Sequence, residues 1–216
     1  MPHNLPTYDY KHWHFGFTLG GNNMNLYVHP VDKSELSHDL LLIEPIGSQG
    51  FNIGIVANRR LAEYLDLRSV PTLSFGERSI KYTFIENDTA IAIYTKKIES
   101  TYLDIPITFK YKSKRLPGNL GNVRTYVFGG IKYSYDFASQ KRKTNNNGNV
   151  VIKLSPQDVM GSFGVGFDFY FKYFKFGLEL QTNYGMMNLL VKEQNPFVLN
   201  VDKIYNRITW ISMTFE

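Results

Sequence analysis

Strict two-residue alternation along most of the chain constrains its fold more than any other feature. Between positions 174 and 184, Phe174, Phe176, Leu178, Leu180, Thr182 and Tyr184 alternate with Lys175, Gly177, Glu179, Gln181 and Asn183. Successive side chains of a strand point to opposite faces, so this pattern predicts a strand with one apolar and one polar face. The preceding stretch repeats it, with Val159, Phe163, Val165, Phe167, Phe169 and Phe171 set against Ser162, Gly164, Gly166, Asp168, Tyr170 and Lys172. Leu103, Ile105, Ile107, Phe109 and Tyr111 alternate in the same way with Asp104, Pro106, Thr108, Lys110 and Lys112. Pro106 has no ladder donor, which predicts a bulge or irregular pairing there.

An opening strand carries Trp13, Phe15, Phe17 and Leu19 on one face. Its apolar set changes parity at Gly21-Asn22-Asn23 and resumes with Met24, Leu26 and Val28, which predicts a bulge. Weaker strands are expected over 50–59, 65–75 with continuation to 84, 124–137 and 205–215. Residues 36–45 suit a short helix or irregular loop, and 86–100 and 140–154 suit long loops or hairpin extensions. The tally is about eight strands with no dividing linker and no solenoid repeat. The 216 residues fit one domain, with 1–11 as an N-terminal periplasmic extension.

Alternation alone does not say which face is inside. The lumen of an eight-stranded barrel is only wide enough to be filled by side chains. Rows of Phe would overfill it, whereas the opposite faces carry glycine and mid-sized residues. The expected architecture is therefore an all-β, closed antiparallel transmembrane barrel, apolar outside and polar within. Phe15, Phe17, Ile105, Ile107, Phe109, Phe167, Phe169, Phe176, Leu178, Leu180, Met213 and Phe215 are expected to face lipid. Asp104, Lys110, Lys132, Asp168, Lys175 and Glu179 then point into the lumen, where charges persist only when paired. Both signs occur, which predicts packed ion pairs and not an open pore.

Composition narrows the alternatives. Without cysteine there is no disulfide scaffold, thiolate catalysis or cysteine-bound metal. No segment approaches the roughly 18 apolar residues of a membrane helix. Residues 1–9 lack an apolar run and do not read as a signal peptide, so the barrel reading requires one ahead of this sequence. The net charge of +5 is scattered apart from Lys110–Arg115 and Lys141, Arg142 and Lys143, which argues against a nucleic-acid partner.

Two segments carry a resemblance. YDYKHWHFGFTLGGNNM, from Tyr8 to Met24, and Tyr102 to Arg142, which contains YLDIPITFKYKSKR and NVRTYVFGGIKYSYDFASQKR, resemble PorT-family proteins of the Bacteroidetes. Gly50-Phe51-Asn52-Ile53-Gly54 followed by Tyr102–Pro106 is similar to the broader outer-membrane barrel pattern of that phylum. The resemblance implies a non-enzymatic component of type IX secretion, and of gliding in related bacteria, with outer-membrane lipid and secretion proteins as partners. It supplies no catalytic residue, cofactor or metal.

Individual residues suggest little chemistry. His14 with Ser162 and Glu179 could serve a lipid-modifying barrel enzyme, but no motif marks a nucleophile, base and orienting group. A soluble lipocalin-like barrel would need the aromatic faces inward. His3, His12, His14, His29 and His38 lack the spacing of a metal site, although His12 and His14 share a predicted face. Gly161, Gly164 and Gly166 have no following helix to receive a phosphate, and they read as room inside a narrow barrel.

Overall fold

In a computed structural model of the protein, residues 4–31, 40–86, 90–116, 122–139, 152–192 and 196–216 are described. They form strands β1 (Trp13–Pro30), β2 (Leu40–Arg60), β3 (Leu65–Ser69), β4 (Thr72–Glu86), β5 (Ala90–Lys112), β6 (Val123–Asp136), β7 (Gln157–Tyr170), β8 (Lys175–Gly185) and β9 (Val201–Phe215). Every neighbouring pair is antiparallel, and β1 bonds to both β2 and β9, which closes the sheet on itself. β3 and β4 occupy a single place in the ring. Both lie between β2 and β5, and Arg68↔Thr108 and Thr72↔Asp104 hold one register. The barrel therefore has eight staves.

The break at Val70 and Pro71 lies beside Pro106, so two residues without an N–H meet on adjacent strands. The irregularity expected at Pro106 thus falls on its neighbour, while β5 runs unbroken and pairs Pro106 with Lys132. Each residue of an antiparallel strand exchanges its bonds with one side only, so one side of β5 stays regular.

β1 corrects another expectation. It holds one register against β9 from Phe17 to His29, with no bulge at Gly21-Asn22-Asn23. Trp13, Phe15, Phe17 and Leu19 are exposed outside, whereas Met24 and Leu26 are buried inside. The strand keeps its phase, and the polarity of its two faces exchanges instead. Residues 40–45, expected as a short helix or irregular loop, are strand in β2, and 90–100, expected as a long loop or hairpin extension, extend the hairpin of β4 and β5. Their inward apolar side chains offset the cost of that order, since Ile98 is buried and Leu40 and Ile43 pack beside it against Ile80 and Tyr82 of β4. The parts of those expectations on 36–39, 87–89 and 140–151 fall outside the described residues.

The exchange divides the barrel into two storeys. The end that carries both termini has the turns 61–64 and 171–174, the end of β5 and the start of β6; the end of β1, the start of β2, the end of β4, the start of β5, the end of β6 and the start of β9 lie at the other. In the lower storey, near the termini, the outer face is apolar and the inner face charged. In the upper storey Leu26, Ile80, Tyr82, Ile98, Leu154, Leu189, Val201 and Ile204 form a buried apolar cluster. Met24, Tyr102, Met160, Ile208 and Trp210 make the floor between them.

Outside, the boundary is a polar line. Thr182, Thr209, Asn23 and Gln49 are successive cross-strand neighbours, and Glu77 faces Glu99 further round. Below it, the apolar stretches Trp13–Gly21 of β1 and Leu103–Tyr111 of β5 match the roughly 9–11 residues with which a strand crosses a bilayer. With 23 residues, β5 continues far beyond that.

Candidate functional site

The lower interior is the chemically distinctive part. Lys110 Nζ lies 2.9 Å from Asp168 Oδ2, and Lys175 reaches the same oxygen at 3.8 Å and Glu216 at 2.9 Å. Arg68 pairs with Glu179, whose Oε1 also accepts a 2.6 Å hydrogen bond from the Tyr126 hydroxyl. Lys132 lies 3.3 Å from Asp104, which accepts from Ser74 at 2.8 Å and from Ser134. Lys112 and Asp66 are 2.7 Å apart, and Asn58 donates to the same carboxylate. One level up, Arg78 contacts Asp136, Asn206 and Ser100.

The charges nearly balance. Among the described residues, Arg68, Arg78, Lys110, Lys112, Arg124, Lys132 and Lys175 are buried beside Asp66, Asp104, Asp136, Asp158, Asp168, Glu179 and Glu216. A charge removed from water is costly unless paired and hydrogen-bonded, so this matching is what lets such a core persist. The alternation supplies it: each inward position on one strand has an inward position beside it on the next.

The interior also holds aromatic rings, on strand faces other than the Phe-rich ones expected to point outward. Lys110 sits 3.4 Å above the Tyr126 ring, and Lys132 lies 4.1 Å from Trp210. Glycines on β7 make the space. A Cβ on Gly164 would fall 2.2 Å from the Phe128 ring, and one on Gly166 would fall 2.5 Å from Tyr126. Gly161 instead faces out towards Met186. The sequence signal for these rings was their parity with Arg124 and Lys132 on β6. A cavity of about 20 Å³ remains between Thr18, Arg68, Thr108, Glu179, Trp210 and Ser212, room for about one water.

The segment before β1 folds back across the lower mouth. Its single 3₁₀ turn, Tyr8–Tyr10, places Asp9 beneath Arg115 and Arg124, at 3.0 and 3.1 Å. Arg115 also donates to the backbone oxygens of Asn4 and Leu5, and Arg60 to that of Asp9. The Tyr8 hydroxyl donates to Glu216 at 2.9 Å, and its ring stacks on His14 at 4.1 Å. Burial opposes the Asp9 charge, but Arg124 and Arg115 outweigh it and hold the carboxyl below its ordinary range. Arg115 and Asn122 both contact Asn4 and so sit at the terminal end.

Asp104, Lys110, Lys132, Asp168, Lys175 and Glu179 all lie buried inside the ring. Phe15, Phe17, Ile105, Ile107, Phe109, Phe167, Leu178, Leu180 and Met213 are exposed on the outer wall. Phe169, Phe176 and Phe215 are on the same wall, half-buried against one another, with Phe17 stacked on Phe215 at 4.9 Å. His14, Ser162 and Glu179 do not form a set. His14 Nε2 lies 2.8 Å from the Tyr8 carbonyl oxygen, Ser162 donates to Asn183, and Glu179 is held by Arg68 and Tyr126. His12 precedes β1 and is exposed, whereas His14 is buried, so they do not share a face. No cluster of three or more metal-ligating side chains occurs among the described residues, and His3 and His38 lie outside them.

The family described as outer membrane protein beta-barrel domain matches residues 4–191. Similar solved structures include OprG from Pseudomonas aeruginosa, 14% identical over 94% of this chain and 95% of that one, with a TM-score of 0.47. Neisserial surface protein A is 10% identical over 94% and 98% of the two chains, with a TM-score of 0.42. Ail of Yersinia pestis, solved with the heparin analogue sucrose octasulfate, is 10% identical over 95% and 98%, with a TM-score of 0.41. No curated protein matches the chain.

Proposed function

Because the chain belongs to the outer membrane protein beta-barrel domain family, we propose that it is a non-enzymatic, non-conducting outer-membrane anchor for protein partners. The observation that carries this reading is the lower interior, filled by paired charges around a cavity of about 20 Å³. Passage of a solute would require separating buried ion pairs, each costing several kcal/mol to break. The apolar belt faces lipid, and short turns belong on the periplasmic side and longer loops outside. The upper storey then stands as a water-surrounded turret at the cell surface, with a soluble-type core.

Its setting is type IX protein secretion, with other components of that machinery docked on the turret or the periplasmic turns. The resemblance of 8–24 and 102–142 to the PorT family supports that setting. Two experiments test the reading. Reconstituted into a planar bilayer, the protein should give no stepwise conductance, and sustained openings would contradict the anchor. Deleted from its host, it should stop export of type IX cargo while leaving other outer-membrane proteins in place. Normal export would remove the secretion role and leave the anchor.

A further inference from the structure

We propose that the outer wall carries a site for the phosphorylated saccharide headgroup of the surrounding outer-leaflet lipid, on β1, β8 and β9 just above the apolar belt. It rests on the membrane position of that belt. Tyr184 and Arg207 are cross-strand partners, as are Tyr27 and Tyr205, and His29 and Lys203. Tyr27, His29, Tyr184, Tyr205 and Arg207, floored by Gly185, line a groove of about 420 Å³. Tyr27 and Tyr184 are 56% and 46% exposed, with His29 packed against the first ring and Arg207 over the second.

Charge distinguishes this sector from the rest of the rim. On β2, β4 and β5 the cations are satisfied, Lys81 by Glu44 and Lys97 by Glu77, both at 3.2 Å. On β9, Arg207 has no carboxylate partner among the described residues, and its guanidinium lies 5.9 Å from the Tyr184 ring. Lys203 and Lys192 share one carboxylate, Asp202, at 3.7 and 4.0 Å. An excess of positive charge beside exposed rings suits a phosphate carried on a sugar, with the cations on the phosphate and the tyrosines against the sugar. Height selects the source. Arg207 is two residues above Thr209 on the polar line, about 7 Å along the strand and about 5 Å along the membrane normal at the usual barrel tilt. The headgroup layer occupies about 5–7 Å beyond the hydrocarbon on each side.

The test uses the full chain in phosphatidylcholine vesicles carrying a minor fraction of bisphosphorylated lipid A, reading the lipid A retained per barrel after detergent extraction. Arg207→Gln is expected to lower retention about fivefold, and Lys203→Gln, six residues above the polar line and outside the headgroup layer, to lower it much less. Lys81→Gln should leave it unchanged, and dephosphorylated lipid A should be retained poorly by every variant. Each variant is first checked for the heat-dependent gel mobility of a folded barrel. Unchanged retention in Arg207→Gln, or an equal loss in Lys81→Gln, would overturn the site. Binding of inorganic pyrophosphate in lipid-free micelles as tightly as lipid A would overturn its assignment to lipid.

Discussion

Lys110 and Asp168 sit side by side within the lower storey, Nζ 2.9 Å from Oδ2, each 1% exposed, with the ammonium 3.4 Å above the Tyr126 ring. Asp168 also faces Lys175, so its loss leaves Lys110 without its carboxylate and Lys175 with Glu216 alone. Asp168→Ala is expected to cost about 3–5 kcal/mol, and Asp168→Asn, which keeps an acceptor, less. Urea midpoints followed by heat-dependent gel mobility would measure both. An unchanged midpoint for Asp168→Ala would mean that the pairing is not structural.

Gly164 tests the packing of the same interior. Its missing side chain is what admits the Phe128 ring, since a Cβ would fall 2.2 Å from it. Gly164→Ala is expected to cost about 1–3 kcal/mol through overpacking. Adding Phe128→Leu should recover part of the loss, because the nearest clash is with that ring while the Leu180 carbonyl oxygen, 2.8 Å away, stays in place. A double-mutant cycle in urea gives the coupling, and strict additivity would contradict the contact.

Much of this was legible from period alone. The runs around Phe109, Phe167 and Leu178 announced strands, and eight staves close as the pattern required. β1 shows where the reading stopped short. A change of surroundings inverts a hydrophobic pattern just as a one-residue slip does, and only the pairing of Met24 with Ile208 and Ser48 tells them apart. The upper halves of β2 and β5 were harder still. Their apolar residues line an interior built by distant segments such as Leu154 and Leu189, which local sequence does not reveal. The Asp9 cap joins residues more than a hundred positions apart and left no local signal.

The cap should respond to acid. Arg124 and Arg115 hold the Asp9 pKa below its ordinary value, so its contribution is present above the unfolded-state pKa and lost as pH falls through the lower folded one. The cap should therefore stay in place at pH 5–7 and release only below the ordinary carboxylate range near 4. At neutral pH, Asp9→Asn should weaken it by about 1–2 kcal/mol, given the partly exposed carboxylate. Amide exchange across residues 4–11 reports this directly, and release beginning at pH 6 would contradict the assignment to Asp9.

The upper storey should fail separately. Ile204 is fully buried in its apolar cluster, outside the belt. Ile204→Ala is expected to cost about 2–5 kcal/mol. Faster amide exchange should follow in β4 and the start of β9, with the lower strands still protected. Uniform loss of protection through both storeys would show that they unfold as one unit.

The exchange of polarity along β1 is the central claim, and site-directed spin labelling tests it most directly. The chain has no cysteine, so single cysteines can be placed at Phe15, Leu19, Asn25 and Tyr27 without background. All four positions lie on the outer face of one strand held in one register. In vesicles, labels at 15 and 19 should collide with oxygen dissolved in lipid, and labels at 25 and 27 with a water-soluble nickel chelate. Oxygen-dominated collisions at all four positions would place the upper storey inside the membrane and contradict the two-storey barrel.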